Sequence, residues 1–102
     1  MNNCMLEGRL SAPPEERTLP SGDVIVTFRV IVDRDREPGV DTIDCRVSTA
    51  TLRRRALLLP ERALLHVEGR LHRRFFRTAS GTASRCELNV LTLRRIAVAT
   101  AA

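Results

Sequence analysis

Residues 63–77 read ALLHVEGRLHRRFFR, a segment in which apolar and polar side chains alternate. Aliphatic residues and glycine hold its odd positions from Leu65 to Leu71, while charged residues and histidines hold the even ones, as far as Phe76. Alternation of this length predicts a β-strand with one face in a core and one in water. Arginines that can bind phosphate and a ring on which an unstacked base can lie share the polar face, a mixture typical of single-strand nucleic-acid binding.

The rest of the chain predicts a small barrel around this strand. Strand-like alternation recurs in four further segments, at residues 4–10, 23–33, 42–49 and 85–95. Between the third and fourth strands, Leu52, Ala56 and Leu59 recur at helical spacing; Thr51 can cap this helix and Pro60 ends it.

Five strands with a helix at this place in the order match the OB-fold, an all-β five-stranded Greek-key barrel. SH3-like barrels and small sandwiches fit the helix position less well. The predicted OB-fold domain covers residues 1–96, with a short tail at 97–102. Prolines bracket the segment between the first two strands, which can still run along a sheet edge, and residues 79–82 predict a hairpin turn.

Several residues are assigned to the core by their position in the alternation. We expect Phe28 and Phe75 to be buried, and the three cysteines, Cys4, Cys45 and Cys86, to be reduced core residues rather than metal ligands, since no close ligand pair exists. The alternation slips near Leu91, which indicates a bulge or a strand end. The sequence Glu-Gly-Arg-Leu occurs at 7–10 and again at 68–71, and we expect both glycines to lie where the sheet curves.

Composition narrows the class of protein. The chain has 102 residues, a net charge of +5, and 17 cationic residues that are all arginine. This charge favours a polyanionic partner, although a GC-rich genome also favours arginine. The N-terminus shows no secretory signal and no apolar run reaches the ~20 residues of a membrane span, so we expect a cytoplasmic, nucleoid-associated protein.

These pieces together resemble the bacterial single-stranded DNA-binding proteins. The resemblance rests on Leu-Glu-Gly-Arg-Leu at 6–10, Pro-Ser-Gly at 20–22 with the following Phe28, Arg-Val at 46–47, and Val-Glu-Gly-Arg-Leu at 67–71 with its downstream aromatic. It implies OB-folds that associate into dimers or tetramers and bind single-stranded DNA with little sequence preference.

Departures from the family pattern are specific. The resemblance implies stacking aromatics, of which Phe76 matches one, but the positions at or next to Asp44 and near Ala50 lack theirs. The loop between the second and third strands is short and of mixed charge. No counterpart of the family's acidic C-terminal tail follows Ile96, so we expect no protein recruitment through such a tail. Binding should therefore depend more on arginine–phosphate contacts than on stacking.

The candidate DNA-binding residues follow from face and charge. Strand alternation selects Arg46, Arg70, Arg74 and Phe76, and the alternative is a solvated arginine face that keeps a sheet edge soluble. His66 and His72 point outward in isolation, and His72 is the better candidate for a contact. The residues that flank the hairpin and can guide a DNA backbone are Arg73, Arg77 and Arg85.

Catalysis has little support, because no nucleophile–base pair or phosphate-binding glycine loop is present. We expect a protein that is not an enzyme and takes no cofactor or metal. Three functions stay open: a single-stranded DNA-binding protein of replication, recombination or repair, a primosomal-type accessory protein, or an OB subunit that serves only in protein assembly.

Overall fold

The computed structural model describes residues 1–96, and these form the predicted barrel around one long hairpin. The sheet contains six strands and one helix intervenes; their bounds are β1 Cys4–Leu10, β2 Glu15–Thr18, β3 Val24–Asp33, β4 Val40–Val47, α1 Ala50–Leu57, β5 Leu64–Thr78 and β6 Gly81–Arg95. Their order in the sheet is β1-β5-β6-β4-β3-β2. A further pairing of Arg9 and Leu10 in β1 with Ile31 and Val30 in β3 closes a ring of five strands, which confirms the OB-fold.

Strand β2 is an addition to the five predicted strands. It lies in the proline-bounded segment and pairs antiparallel with the first half of β3. All four of its residues are exposed, as expected for an edge strand. The predicted tail, residues 97–102, lies outside the described part of the chain.

The barrel interior is filled by the residues that alternation assigns to it. Val26, Val30, Val47, Leu65 and Val67 are fully buried, and Phe28 is buried among them, as predicted. Cys45 is also fully buried, and burial raises the pKa of its thiol to about 12, so this thiol stays protonated.

Helix α1 packs against this barrel through Ala56, with Leu52 and Leu59 partly buried beside it. The prediction that Thr51 caps the helix is wrong. Thr49 is the N-cap, and its hydroxyl accepts a hydrogen bond from the amide of Leu52 at 3.4 Å. Two threonines stand two residues apart here, and only Thr49 has the extended backbone that an N-cap requires.

Two glycines bring the strands close together, as the repeated tetrapeptide predicts. A Cβ on Gly8 would overlap the backbone carbonyl of Ile31, where β1 and β3 close the ring. A Cβ on Gly69 would overlap the carbonyl of Asn89 in β6. The register between β5 and β6 also shifts at this point, because Glu68 pairs with Thr92 while Gly69 pairs with Val90. Leu91 is therefore the extra residue of a β-bulge, which confirms the predicted slip.

Beyond the bulge, β5 and β6 leave the barrel as a two-stranded ribbon, residues 71–86, which we call the arm. Pairing of β1 with β5 ends at Gly69, and pairing of β4 with β6 begins only at Glu87. Asn2 extends the β1 side by one step, since its side-chain amide bonds both the N–H and the carbonyl of Leu71. No other described strand pairs with the arm.

The arm overturns two core assignments. Phe75 is 69% exposed and Cys86 is exposed, although both have the parity of buried residues. Alternation places them correctly on the side that faces the core lower in the sheet, but the arm extends past the barrel, so both side chains stay exposed.

Candidate nucleic-acid interface

A groove with a volume of about 520 Å³ crosses the outer face of the sheet. It is lined by side chains from every strand except β1, together with the loop that precedes β2. Its volume falls in the range of pockets that hold small organic ligands, ~300–1,000 Å³, so a nucleotide fits. The groove is partly open to solvent.

Five arginines line this groove, and each comes from a different strand: Arg17, Arg29, Arg46, Arg74 and Arg85. Arg74 and Arg85 lie directly opposite each other on β5 and β6. Like charges in cross-strand register repel, so their placement side by side favours an anion between or above them.

Two phenylalanines of the arm complete the lining. Phe76 and Phe75 both reach the groove, and both are exposed. The guanidinium carbon of Arg85 lies 5.6 Å from the centre of the Phe76 ring, within cation–π range. A base stacked on the other face of this ring would therefore lie close to a cation that can contact its phosphate.

Carboxylates hold most of these arginines in place. Glu87 is only 8% exposed and pairs with both Arg74 and Arg46, at 3.5 Å to the Arg46 guanidinium. Asp44 accepts a hydrogen bond from Nε of Arg29 at 2.9 Å and lies 3.7 Å from Nε of Arg85. These ion pairs favour one placement of each arginine side chain in the absence of a ligand.

Arg46 differs from the other groove arginines in its burial. Its side chain is 15% exposed, and within residues 1–96 its Nε has no hydrogen-bond partner. Burial lowers the pKa of its guanidinium, an effect that Glu87 partly offsets. Arg46 thus lies at the groove floor, under the outer arginines.

The eight predicted DNA-binding residues divide into two sets. Arg46, Arg74, Phe76 and Arg85 line the groove. The other four do not, and they are Arg70, His72, Arg73 and Arg77.

Each of those four has a different surrounding. Arg70 borders a second, shallower hollow beside residues 1–3 and Leu91. Arg73 donates a hydrogen bond to the Ser84 hydroxyl at 3.0 Å, on the other side of the arm. His72 and Arg77 are exposed along the arm, and neither has an ion-pair partner within residues 1–96.

Two of the five groove arginines, Arg17 and Arg29, are not among the residues predicted from the sequence. Arg29 could have been predicted from the sequence, because it has outward parity next to the buried Phe28. Arg17 gave no usable signal, because its short edge strand lacks alternation. Asp44 and Glu87 also have outward parity, but no local pattern shows that two carboxylates from separate strands meet the same arginines.

The opposite end of β5 carries a different polar cluster. His66 bonds Glu7 through Nδ1 and Glu68 through Nε2, each at 2.8 Å, so the prediction that it is isolated is wrong. Its bonds to Glu68 and Glu7 raise the pKa of the His66 imidazole. This cluster ties β1 to β5 away from the groove.

Residues 1–96 contain no group of three His, Cys, Asp or Glu side chains arranged to hold a metal ion. Within the same range no helix is long and apolar enough to cross a membrane.

A closed five-stranded barrel with an arginine-lined groove on its sheet defines a protein of the OB-fold class. The chain belongs to the single-strand binding protein family, whose model matches residues 1–96.

Individual relatives agree with this membership. The chain is 34% identical over 86 residues to single-stranded DNA-binding proteins 1 and 2 of two Staphylococcus aureus strains, COL and MSSA476. Those matches cover 79% of this chain and 52% of each relative, so the chain spans about half the length of the relatives it matches.

A solved structure, titled Plasmodium falciparum SSB complex with ssDNA, matches with a TM-score of 0.82. That match covers 95% of this chain and 96% of the other, at 21% sequence identity, which is likeness of fold.

Proposed function

We propose that this protein binds single-stranded DNA with little sequence preference, in DNA replication, recombination or repair. The observation that carries the proposal is the open groove in which arginines and a phenylalanine share one face of an OB barrel. The relatives named above are single-stranded DNA-binding proteins, and the similar Plasmodium protein is described in complex with ssDNA. Both support the same ligand for this chain.

In this mechanism the phosphates follow the arginines and the bases meet the rings. Arg74 and Arg85 face each other at the base of the arm, where a phosphate can contact both guanidinium groups. Phe76 offers its face to one base, and Phe75, exposed beside it, offers a second. Recognition through charge and ring surface does not read base identity, so sequence preference is low.

The arm extends this surface beyond the groove. His72, Arg73 and Arg77 lie along it and can guide the DNA backbone towards the hairpin turn, while Arg70 can contact a strand that continues past the bulge. The proposed binding surface thus has two parts. In the groove the arginines are paired with carboxylates, whereas beyond the groove His72 and Arg77 have no ion-pair partner within residues 1–96.

The proposed role also bears on the oligomeric state and the cellular location of the protein. A single barrel covers a short length of strand, so we infer that the protein acts as a homo-oligomer, a dimer or tetramer, with the first strand at the contact. It acts as a binding protein rather than an enzyme, and its ligand would bring it to the nucleoid in the cytoplasm.

Fluorescence anisotropy with labelled oligo-dT tests the proposal. Binding should be tight in low salt and should weaken as salt rises, with a slope of about −0.7 per neutralised phosphate in a plot of log K against log salt. An oligo-dT duplexed with oligo-dA is the control and should bind more weakly. Absence of binding in low salt would exclude DNA binding, and would leave a role in protein assembly alone.

If binding is found, a second candidate remains, a primosomal-type accessory protein that also contacts a replication partner. The ion pairs of the groove arginines favour this second candidate, because arginines that already pair with carboxylates should bind DNA more weakly, and weak binding suits an accessory role. Pull-downs with purified replication proteins divide the two.

A further inference from the structure

Two carboxylates pair with arginines that line the groove. Glu87 pairs with Arg46 and Arg74, and Asp44 pairs with Arg29 and Arg85. These four arginines, which we call the paired arginines, share two acidic partners within residues 1–96.

The two carboxylates are themselves neighbours. Asp44 in β4 and Glu87 in β6 lie in direct register on adjacent parallel strands. Like charges at such positions destabilise a sheet, so the pair needs the surrounding arginines to offset its repulsion. The acidic centre and the arginine ring around it form one network that spans β3, β4, β5 and β6.

A phosphate and a carboxylate compete for the same guanidinium N–H groups. Arg74 turns its Nε towards Glu87, while Nε of Arg85 lies 3.7 Å from Asp44, an ion pair too long for a hydrogen bond. An incoming strand must therefore share these arginines with the carboxylates or displace them.

We propose that Glu87 and Asp44 are internal competitors of DNA, which orient the paired arginines and hold the affinity of the groove below what its arginines alone would give. The proposal rests on the function proposed above and specifies how that site is regulated. Under this proposal bound DNA exchanges readily, because a carboxylate pairs again with each arginine from which a DNA phosphate dissociates.

Neutralising one carboxylate tests this directly. Glu87→Gln keeps the shape and one acceptor oxygen while removing the charge, and we expect oligo-dT to bind roughly three- to tenfold more tightly in low salt. The salt slope should steepen by up to about 0.7, as Arg74 becomes fully available. Glu61→Gln is the matched control, because it makes the same change of net charge at an exposed residue that does not line the groove.

Asp44→Asn is a second variant, because Glu87→Gln also removes the charge that pairs with the largely buried Arg46 and could therefore impair folding. The Asp44 side chain is more exposed than that of Glu87, so its replacement should disturb packing less, and it should also tighten binding. Thermal unfolding identifies a misfolded variant.

The outcomes separate the two proposals. If the parent binds oligo-dT and both groove variants match Glu61→Gln, or bind more weakly, the carboxylates do not compete with DNA and this inference is overturned. If the parent shows no binding in low salt, the proposed function itself is overturned, and this inference with it.

Discussion

The two halves of β5 both follow the two-residue period of a strand, but residues with core parity are buried in one half and exposed in the other. In the barrel half, Leu65 and Val67 are completely buried, whereas in the arm half Leu71 is 46% exposed and Phe75 is 69% exposed. The difference arises from the neighbours, since β1 and the rest of the barrel enclose the first half and only β6 accompanies the second. Alternation fixes which side a residue faces, and tertiary pairing decides whether that side is covered.

The same contrast divides stability from binding. We expect the barrel half to maintain the fold and the arm half to provide the ligand surface. Substitutions that compare the two halves test this division.

The largest effect should come from truncating a leucine in each half. Leu65→Ala should lower the free energy of unfolding by about 2–5 kcal/mol, because it leaves a cavity in a closed core. Leu71→Ala, the same change in the arm, should cost less than about 1 kcal/mol. Urea unfolding measures both, and equal losses would show that the arm is packed as tightly as the barrel.

Next comes the loss of stacking on the arm. Phe76→Ala should weaken oligo-dT binding by about 1–3 kcal/mol with little change in salt slope, because a ring contributes stacking and no charge. Phe75→Ala should weaken it less, since Phe76 and not Phe75 lies against the Arg85 guanidinium that can hold the phosphate of a stacked base. Leu71→Ala is the control from the same arm and should bind as the parent does; if Phe76→Ala does so too, no base stacks there.

Charge removal should give a smaller change that depends on pairing. Arg74→Ala should lower both the affinity and the salt slope, and Arg77→Ala should lower the slope by about 0.7. Arg74 shares its charge with Glu87, so its slope change should be the smaller of the two. Arg54→Ala, on the exposed side of α1, is the control; a slope change as large as that of Arg77→Ala would mean that the effect reflects net charge alone.

The smallest effect concerns the cluster at the barrel end of β5. The pKa of His66 is raised in the folded protein, so its contribution to stability is complete below its ordinary value of 6.5. That contribution is lost as the pH rises through the folded pKa. The melting temperature of the parent should therefore exceed that of His66→Gln by more at pH 6 than at pH 9, and a difference independent of pH would contradict the assignment.

Much of the fold was predictable because the barrel strands alternate cleanly. The strand order, the helix position, the bulge at Leu91 and the two close-packed glycines could all be inferred from local patterns. Thr49 was missed as the cap because two threonines compete at the helix start. The exposure of Phe75 and Cys86 could not be predicted, since it depends on where the barrel ends.

The site was predictable only where a single strand displays it. Phe76 and Arg74 follow from the alternation of β5. The network of Asp44, Glu87 and the paired arginines depends on four strands meeting, and the register between β4 and β6 cannot be read from either strand alone. Charge runs in the sequence therefore overstate how many arginines are free.

An NMR titration of the ¹⁵N-labelled protein with oligo-dT is the best test of whether DNA binds at the arm and groove and not at the barrel end of β5. The amides of 72–78 and 81–86 in the arm, with those of Arg29 and Asp44 in the groove, should shift most, while those of Glu7 and His66 at the barrel end should stay nearly unchanged. Shifts concentrated at Glu7, His66 and Glu68, with a silent arm, would contradict the account and move the DNA to the opposite end of the sheet.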